Sequence, residues 1–155
     1  MLDPIITLND FKYTDQVSVV FRMERPTDIT LESIIKMEKG LDHTGTCQFG
    51  IFIKQYKEEE KIGHFMLTQL PGCCGVVVIH NMYLNKDFRG GVLSNTIRNG
   101  KHKLCHILGY TCAIATTKMS DIPAVKNMFK SRYSIVDTFT NRRTNNLIGI
   151  GVKKL

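Results

Sequence analysis

Residues 76–84 are the feature that most constrains the fold. No unbroken apolar run in the chain is longer than residues 76–79, and three of these four residues are valine. A short apolar run rich in β-branched residues predicts a central strand that is buried on both faces. Because no apolar run is longer than these four residues, we expect no segment of the chain to span a bilayer.

A glycine-containing turn and a helix are predicted after this strand. The turn carries Arg89-Gly90-Gly91, and apolar residues then recur at helical spacing over residues 93–108. Gly100 falls on the same apolar face, which indicates close packing of the helix on a sheet. The apolar positions are Leu93, Ile97, Leu104 and Leu108.

The remaining sequence predicts further strands and two more helices. Alternating or continuous apolar residues predict strands at 17–23, 48–56, 62–70, 110–117, 134–140 and 147–152. Helices are predicted around 31–38 and at 121–132, and the charged residues 57–61 predict a hairpin tip. This order predicts an α/β fold with one mixed sheet, in a single domain over residues 1–155.

The net charge of the chain indicates the class of its partners, and its cysteine content indicates its cellular environment. Lys and Arg outnumber Asp and Glu by 21 to 14, giving a net charge of +7. This excess favours an anionic partner such as nucleic acid, an acidic protein or a phosphorylated small molecule, although it also serves solubility alone. The chain has five cysteines, an odd number, and no C-x-x-C pair, which argues against a disulfide framework or a zinc site. We therefore expect a reducing, cytoplasmic setting without a signal peptide.

The turn before the predicted helix has the chemistry of an anion site. Glycines that open a helix leave backbone N–H groups unpaired and pointing in one direction, at the positive end of the helix dipole. Arg89 adds a fixed positive charge beside them. A plain structural turn is the alternative interpretation.

Residues 82–94 resemble the fourth strand and pyrophosphate loop of the GNAT superfamily of acetyl-CoA-dependent N-acetyltransferases. The family pattern is Gln/Arg-x-x-Gly-x-Gly/Ala. Arg89 matches its first position, whereas Val92 and Ser94 stand where the family has glycine or alanine. The resemblance covers about residues 48–140. It implies a twisted, mostly antiparallel mixed sheet flanked by helices, and transfer of an acyl group from acetyl-CoA to an amine by direct attack.

The resemblance also implies a set of cofactor contacts. The pantetheine arm would lie along Met82, Tyr83 and Leu84, and residues 122–133 would form the helix beside the cofactor thiol, adding Phe129. The pyrophosphate would contact the loop residues Arg89, Gly90, Gly91, Val92, Leu93 and Ser94.

Two candidate catalytic residues follow from the same resemblance. His80 stands where many members carry a glutamate that acts as the general base, and the intrinsic pKa of histidine suits the same role. A histidine hydrogen-bonded within the sheet is the alternative, and strand alternation predicts that Asn81 faces the opposite side. The tyrosine that acts as general acid in the family corresponds to Met128 or Phe129, neither of which can donate a proton. Tyr133, one turn later, is the substitute candidate or else a core aromatic residue.

Two other groups of residues have weaker functional interpretations. His102 and His106 have a spacing that can chelate zinc, but a solvated helix face is favoured and no metal site is predicted. Basic residues near the end of the chain predict a positive surface for nucleic acid or an acidic protein, if they share a face. The alternative function is therefore a non-catalytic binding protein on the same scaffold. These basic residues are Lys126, Lys130, Arg132, Arg142, Arg143, Lys153 and Lys154.

Overall fold

A computed structural model describes residues 7–26 and 46–155. These residues form one eight-stranded sheet and two α-helices, α1 (Gly91–Ile107) and α2 (Ile122–Lys130), with a short 3-10 helix at Lys86–Phe88. The strands are β1 (Thr7–Lys12), β2 (Val17–Pro26), β3 (Thr46–Gln55), β4 (Glu58–Gln69), β5 (Val76–Leu84), β6 (Cys112–Lys118), β7 (Ser134–Thr140) and β8 (Leu147–Lys154).

The sheet is mixed and mostly antiparallel, as predicted. Its strand order is β1-β2-β3-β4-β5-β6-β8-β7, and β5 and β6 are the parallel pair among the described strands. β8 therefore lies between β6 and β7, although it follows both of them in sequence. All seven predicted strands are present, and the predicted bounds of β5 and β7 are those of the structure.

Two differences from the sequence predictions concern the first half of the chain. β1 was not predicted, because its Asn9 and Asp10 have low strand propensity. The hairpin predicted at 57–61 is present between β3 and β4, but its turn consists of Tyr56 and Lys57, because β4 begins at Glu58, which pairs with Gln55. An ion pair between Glu59 and Arg22 on β2 keeps this acidic segment on the sheet. The helix predicted around 31–38 lies outside the described residues.

Helix α1 covers one face of the sheet with the apolar residues that its sequence predicted. Leu93, Ile97, Leu104 and Leu108 are all buried. A Cβ atom at Gly100 would lie 2.9 Å from a ring carbon of Phe21, which confirms the predicted close packing of helix and sheet. Among the described residues, no helix combines the length and the apolar character that a membrane crossing requires.

Candidate active site

β5 and β6 are paired over only part of their length. Their parallel ladder joins Val76 to Cys112, Val77 to Ala113 and Val78 to Ile114. Beyond these pairs both strands continue, β5 to Leu84 and β6 to Lys118. The two facing backbone edges are no longer joined there, so an extended ligand can lie between them and use their hydrogen-bonding groups.

A β-bulge in β5 accompanies the separation. His80 pairs with Met66 and Tyr83 with His64, so Asn81 and Met82 together oppose the single residue Phe65. Asn81 has a φ of 49°, a left-handed conformation that asparagine tolerates better than most residues. Bulges bend a strand and increase its local twist. β5 therefore bends just beyond the point where it leaves β6.

The bulge also overturns one sequence prediction. Regular alternation placed Asn81 on the side opposite His80, but both residues line the same cavity. Two residues of β5 now occupy one position of the ladder, so the alternation of side chains is interrupted after His80.

The cavity lies between the parted strands and the two helices. Its volume is about 600 Å³, and α1, α2, β5 and β6 all contribute walls. Its lining includes two cationic side chains and two histidines, but no aspartate or glutamate among the described residues. The polar and charged lining residues are His80, Asn81, Ser94, Arg98, Lys101, His102, Thr116, Thr117, Asn127, Ser131 and Tyr133.

The first turn of α1 reaches this cavity through Ser94 and presents three free backbone amides. The N–H groups of Gly91, Val92 and Leu93 precede the first intrahelical bond and have no acceptor among the described residues. The Gly90 N–H is engaged, since it donates to Ser94 Oγ at 2.7 Å. The Ser94 N–H points back to the Gly90 carbonyl oxygen at 3.4 Å.

The turn is sterically open at its two glycines. Gly90 and Gly91 have φ values of 86° and 63°, and a Cβ atom at either position would meet nothing within 4 Å. The Val92 side chain is 66% exposed and is not part of the cavity lining, while the Leu93 side chain is buried in the core. The valine that stands at a glycine position of the family pattern therefore does not fill the cavity.

Arg89 is fixed between the end of β5 and this turn. Its Nε donates to the Leu84 carbonyl oxygen at 2.7 Å, and its guanidinium carbon lies 5.8 Å from the centre of the Tyr83 ring. The Tyr83 ring in turn stacks on His64. The guanidinium is thus held at the end of β5, over a Tyr83 side chain that lies outside the cavity, and Arg89 is itself not part of the lining. Met82 and Leu84 do line the cavity.

His80 is both hydrogen-bonded within the sheet and open to the cavity. Its Nε2 lies 2.8 Å from Thr68 Oγ1 on β4, and Thr68 Oγ1 lies 2.8 Å from Thr46 Oγ1 on β3. Partial burial lowers the pKa of His80, against a smaller opposing effect of the Asn81 side chain. The imidazole is therefore mainly neutral at neutral pH, the form that can accept a proton.

Tyr133 and His102 form a hydrogen-bonded pair in the cavity wall. His102 Nε2 lies 2.8 Å from the Tyr133 hydroxyl oxygen, and both residues line the cavity. Burial raises the pKa of Tyr133 well above its usual value, which keeps the phenol protonated. Burial lowers the pKa of His102 to about 3, and the positive charge of Lys101 acts in the same direction.

The placement of His102 corrects the prediction of a solvated helix face. That interpretation holds for His106, which is exposed, but His102 is partly buried against Tyr133. Sequence reasoning missed both His102 and Lys101 as cavity residues, because polar side chains at these positions do not contribute to the apolar periodicity of the helix.

Replacing Tyr133 by phenylalanine should lower the free energy of unfolding by about 1 kcal/mol, because His102 loses its partner in a partly buried site. Urea denaturation measures this difference. Tyr56→Phe is the matched control and should leave stability unchanged, because Tyr56 is 72% exposed. Equal stability of the Tyr133 variant and the unaltered protein would show that the hydrogen bond contributes nothing.

Other predicted residues are not brought into the site. Phe129 is 57% exposed on the outer side of α2 and is not part of the cavity lining. Arg142 and Arg143 lie in the loop before β8, whereas Lys153 and Lys154 lie at its far end, about 20 Å away at 3.3 Å per residue. These four basic residues therefore do not form one cluster. Lys153 lies instead at the end of α2, where its Nζ donates to the Ser131 carbonyl oxygen at 2.7 Å. Burial and the positive charge of Arg132 lower the pKa of Lys153 there.

Comparison with solved structures identifies the fold. A probable acetyltransferase of the GNAT family from Chromobacterium violaceum ATCC 12472 matches 99% of this chain and 90% of its own, with a TM-score of 0.65 and 10% identity. A GNAT family acetyltransferase from Elizabethkingia anophelis with acetyl-CoA bound matches 92% of this chain over 100% of its own length, with a TM-score of 0.60 and 14% identity. Spermidine/spermine N-acetyltransferase from Vibrio cholerae matches 92% of this chain over 95% of its own length, with a TM-score of 0.63 and 9% identity.

The chain therefore has the GNAT acyltransferase fold, as its resemblance to that superfamily implied. No protein-family model and no curated protein sequence matches the chain. At identities this low the similarity extends to the fold, and the chemistry has to be argued from the site itself.

Proposed function

We propose that this protein is an acyl-CoA-dependent N-acyltransferase, which moves an acetyl group from acetyl-CoA to an amine. The single observation that carries this proposal is the group of three free amides at the start of α1, which opens beside a cavity between two parted strands. The similarity in fold to GNAT acetyltransferases supports the same conclusion.

The residues present fit the parts of coenzyme A. The amides of Gly91, Val92 and Leu93 provide donors for a diphosphate. Arg89, which precedes the turn in the chain and is bonded to the Leu84 carbonyl oxygen, adds positive charge at the same end of β5. The unjoined edge of β5 beyond Val78 offers backbone groups to an extended amide-containing arm. When bound, acetyl-CoA supplies an acyl group that is activated as a thioester.

His80 is the group that accepts a proton from the acceptor's ammonium group, which leaves a neutral amine to attack the thioester carbon. When Nε2–H donates to Thr68 Oγ1, the lone pair of the neutral imidazole lies on Nδ1, which is the nitrogen that accepts the proton. A hydrogen bond of the Asn81 side chain to His80 favours the protonated form that results. The lowered pKa of His80 keeps the imidazole neutral and ready to accept a proton at neutral pH.

Tyr133 is the group that donates a proton to the leaving thiolate. Its phenol lies in the cavity wall and remains protonated because burial raises its pKa. When His102 donates its Nε2 proton to the Tyr133 oxygen, the phenol proton is left free to point into the cavity.

Calorimetric titration with acetyl-CoA, followed by an assay of free thiol with a panel of amines, tests the function. We expect micromolar affinity and release of thiol that depends on the amine. Undetectable binding at millimolar acetyl-CoA would overturn the proposal. Binding without thiol release would favour the alternative, a non-catalytic binding protein.

Arg89→Glu should weaken acetyl-CoA binding about 10- to 100-fold, because it removes a charge-assisted contact and adds repulsion toward the diphosphate. The change is read by the same calorimetry. Lys103→Glu is the control, since it makes the same charge change at an exposed position of α1 and should leave the affinity nearly unchanged. Equal losses in the two variants would mean that Arg89 acts only through the overall charge.

A further inference from the structure

Lys101 is a partly buried cation in the cavity wall for which the described residues provide no carboxylate. Its Nζ lies 3.6 Å from Met82 Sδ and 5.8 Å from the centre of the Phe65 ring. A sulfur atom and an aromatic face compensate a desolvated ammonium group only weakly. Burial lowers the pKa of Lys101 to about 8, which still leaves the group mainly charged at neutral pH.

The diphosphate proposed above is too far away to be the partner of Lys101. Lys101 lies ten residues after Gly91 on α1, which corresponds to about 15 Å along the helix axis at 1.5 Å per residue. Its Nζ instead lies at the bulge, against Met82 and next to the strand position of His80. The positive charge is therefore placed at the bulge of β5, in the lining of the same cavity to which His80 belongs.

The surroundings of Lys101 favour a singly charged anion. Arg98, one turn earlier, also lines the cavity and is held by Asn95 at 2.9 Å, whereas His102 is neutral. Lys101 lies in the middle of a helix, where the backbone amides are already bonded, so the amide cluster that a phosphate prefers is absent there. A carboxylate matches one lysine as a point charge and costs less to desolvate than a phosphate dianion.

We propose that Lys101, supported by Arg98, binds a carboxylate carried by one of the two substrates at the transfer site. The carboxylate comes either from a dicarboxylic acyl group or from an amino acid that serves as the acceptor. The assignment to a substrate rests on the proposed function, whereas carboxylate binding to the cavity does not.

Binding of succinate alone tests the site without acetyl-CoA. In protein labelled with ¹³C at the methionine methyl groups, succinate should shift the Met82 signal in a saturable way, since Lys101 Nζ contacts Met82 Sδ. The shift should be lost in Lys101→Gln and kept in Lys103→Gln, and inorganic phosphate at the same concentration should not reproduce it. No shift, or a shift that survives in Lys101→Gln, would overturn the proposal even if acetyl-CoA binds.

Substrate pairs that differ by one carboxylate identify its source. Succinyl-CoA is compared with acetyl-CoA, and an amino acid with its decarboxylated amine, each for the unaltered protein and both variants. We expect Lys101→Gln to lower kcat/KM about 10-fold or more for the carboxylated member of one pair, with little effect on its partner. An equal loss for both members of each pair would indicate a structural role for Lys101 and overturn the assignment.

Discussion

Replacing His80 by alanine should lower kcat/KM for the amine about 10²- to 10⁴-fold, the range typical for loss of a general base. The alanine variant has no group to take the ammonium proton where β5 bulges toward the cavity. The free-thiol assay measures the loss. With intact His80, the rate should also fall as pH decreases through its pKa, which lies below the usual value of 6.5, because a protonated imidazole accepts no proton.

The His80 result depends on a variant that still folds and still binds acetyl-CoA. His106→Ala is the matched control, since His106 is exposed on α1 and should retain full activity. Calorimetry should show nearly unchanged acetyl-CoA affinity for His80→Ala, which separates proton transfer from binding. An unchanged kcat/KM in this variant would exclude His80 as the base, and an equal loss in the control would exclude a specific role.

Replacing Gly63 by alanine should lower the free energy of unfolding by about 3 kcal/mol, a large part of the stability of a domain this size. Gly63 pairs with Leu84 across β4 and β5. A Cβ atom at Gly63 would overlap the carbonyl oxygen of Tyr83 and lie 3.1 Å from Leu84 Cα. Since these are backbone atoms, rotation of a side chain cannot relieve the overlap, and the end of β5 has to move. Chemical denaturation measures the loss.

Gly149→Ala is the control for this prediction. A Cβ atom there would lie 2.5 Å from Met119 Sδ, the far end of a flexible side chain that can move aside. Both glycines lie in strands and neither has a positive φ, so the steric environment is the difference between them. We expect a change within about 1 kcal/mol for Gly149→Ala. Similar losses in the two variants would mean that the backbone overlap at Gly63 is not decisive.

The strands and α1 were predictable because their patterns are local. Residues 76–84 form a strand with the predicted bounds, and the four apolar residues of α1 all enter the core. β1 was not predictable in the same way, since its polar residues form a strand by pairing with β2 at the sheet edge. Its Phe11, which packs 5.2 Å from the Phe21 ring, was the one signal available.

The candidate site was only partly predictable, because its shape depends on contacts between distant elements. The glycine turn and His80 were visible in the sequence, but the bulge at Asn81 and the parting of β5 from β6 are set by three neighbouring strands. Lys101 and His102 lie about 80° and 180° around α1 from Leu93 at 100° per residue, so Lys101 borders the apolar face and His102 lies opposite its first residue. Both side chains line the cavity, but polar residues add nothing to apolar periodicity, which reports only the face that packs on the sheet.

The position of β8 between β6 and β7 has a consequence for synthesis of the chain on the ribosome. β7 emerges before its described neighbour in the sheet exists, because Leu147–Lys154 is translated later. The outer part of the sheet therefore assembles only after that segment leaves the exit tunnel. This part includes the pairing of β8 with β6, the strand that forms one wall of the cavity. A nascent chain that ends before Leu147 holds the glycine turn and His80 but lacks the strand that backs β6.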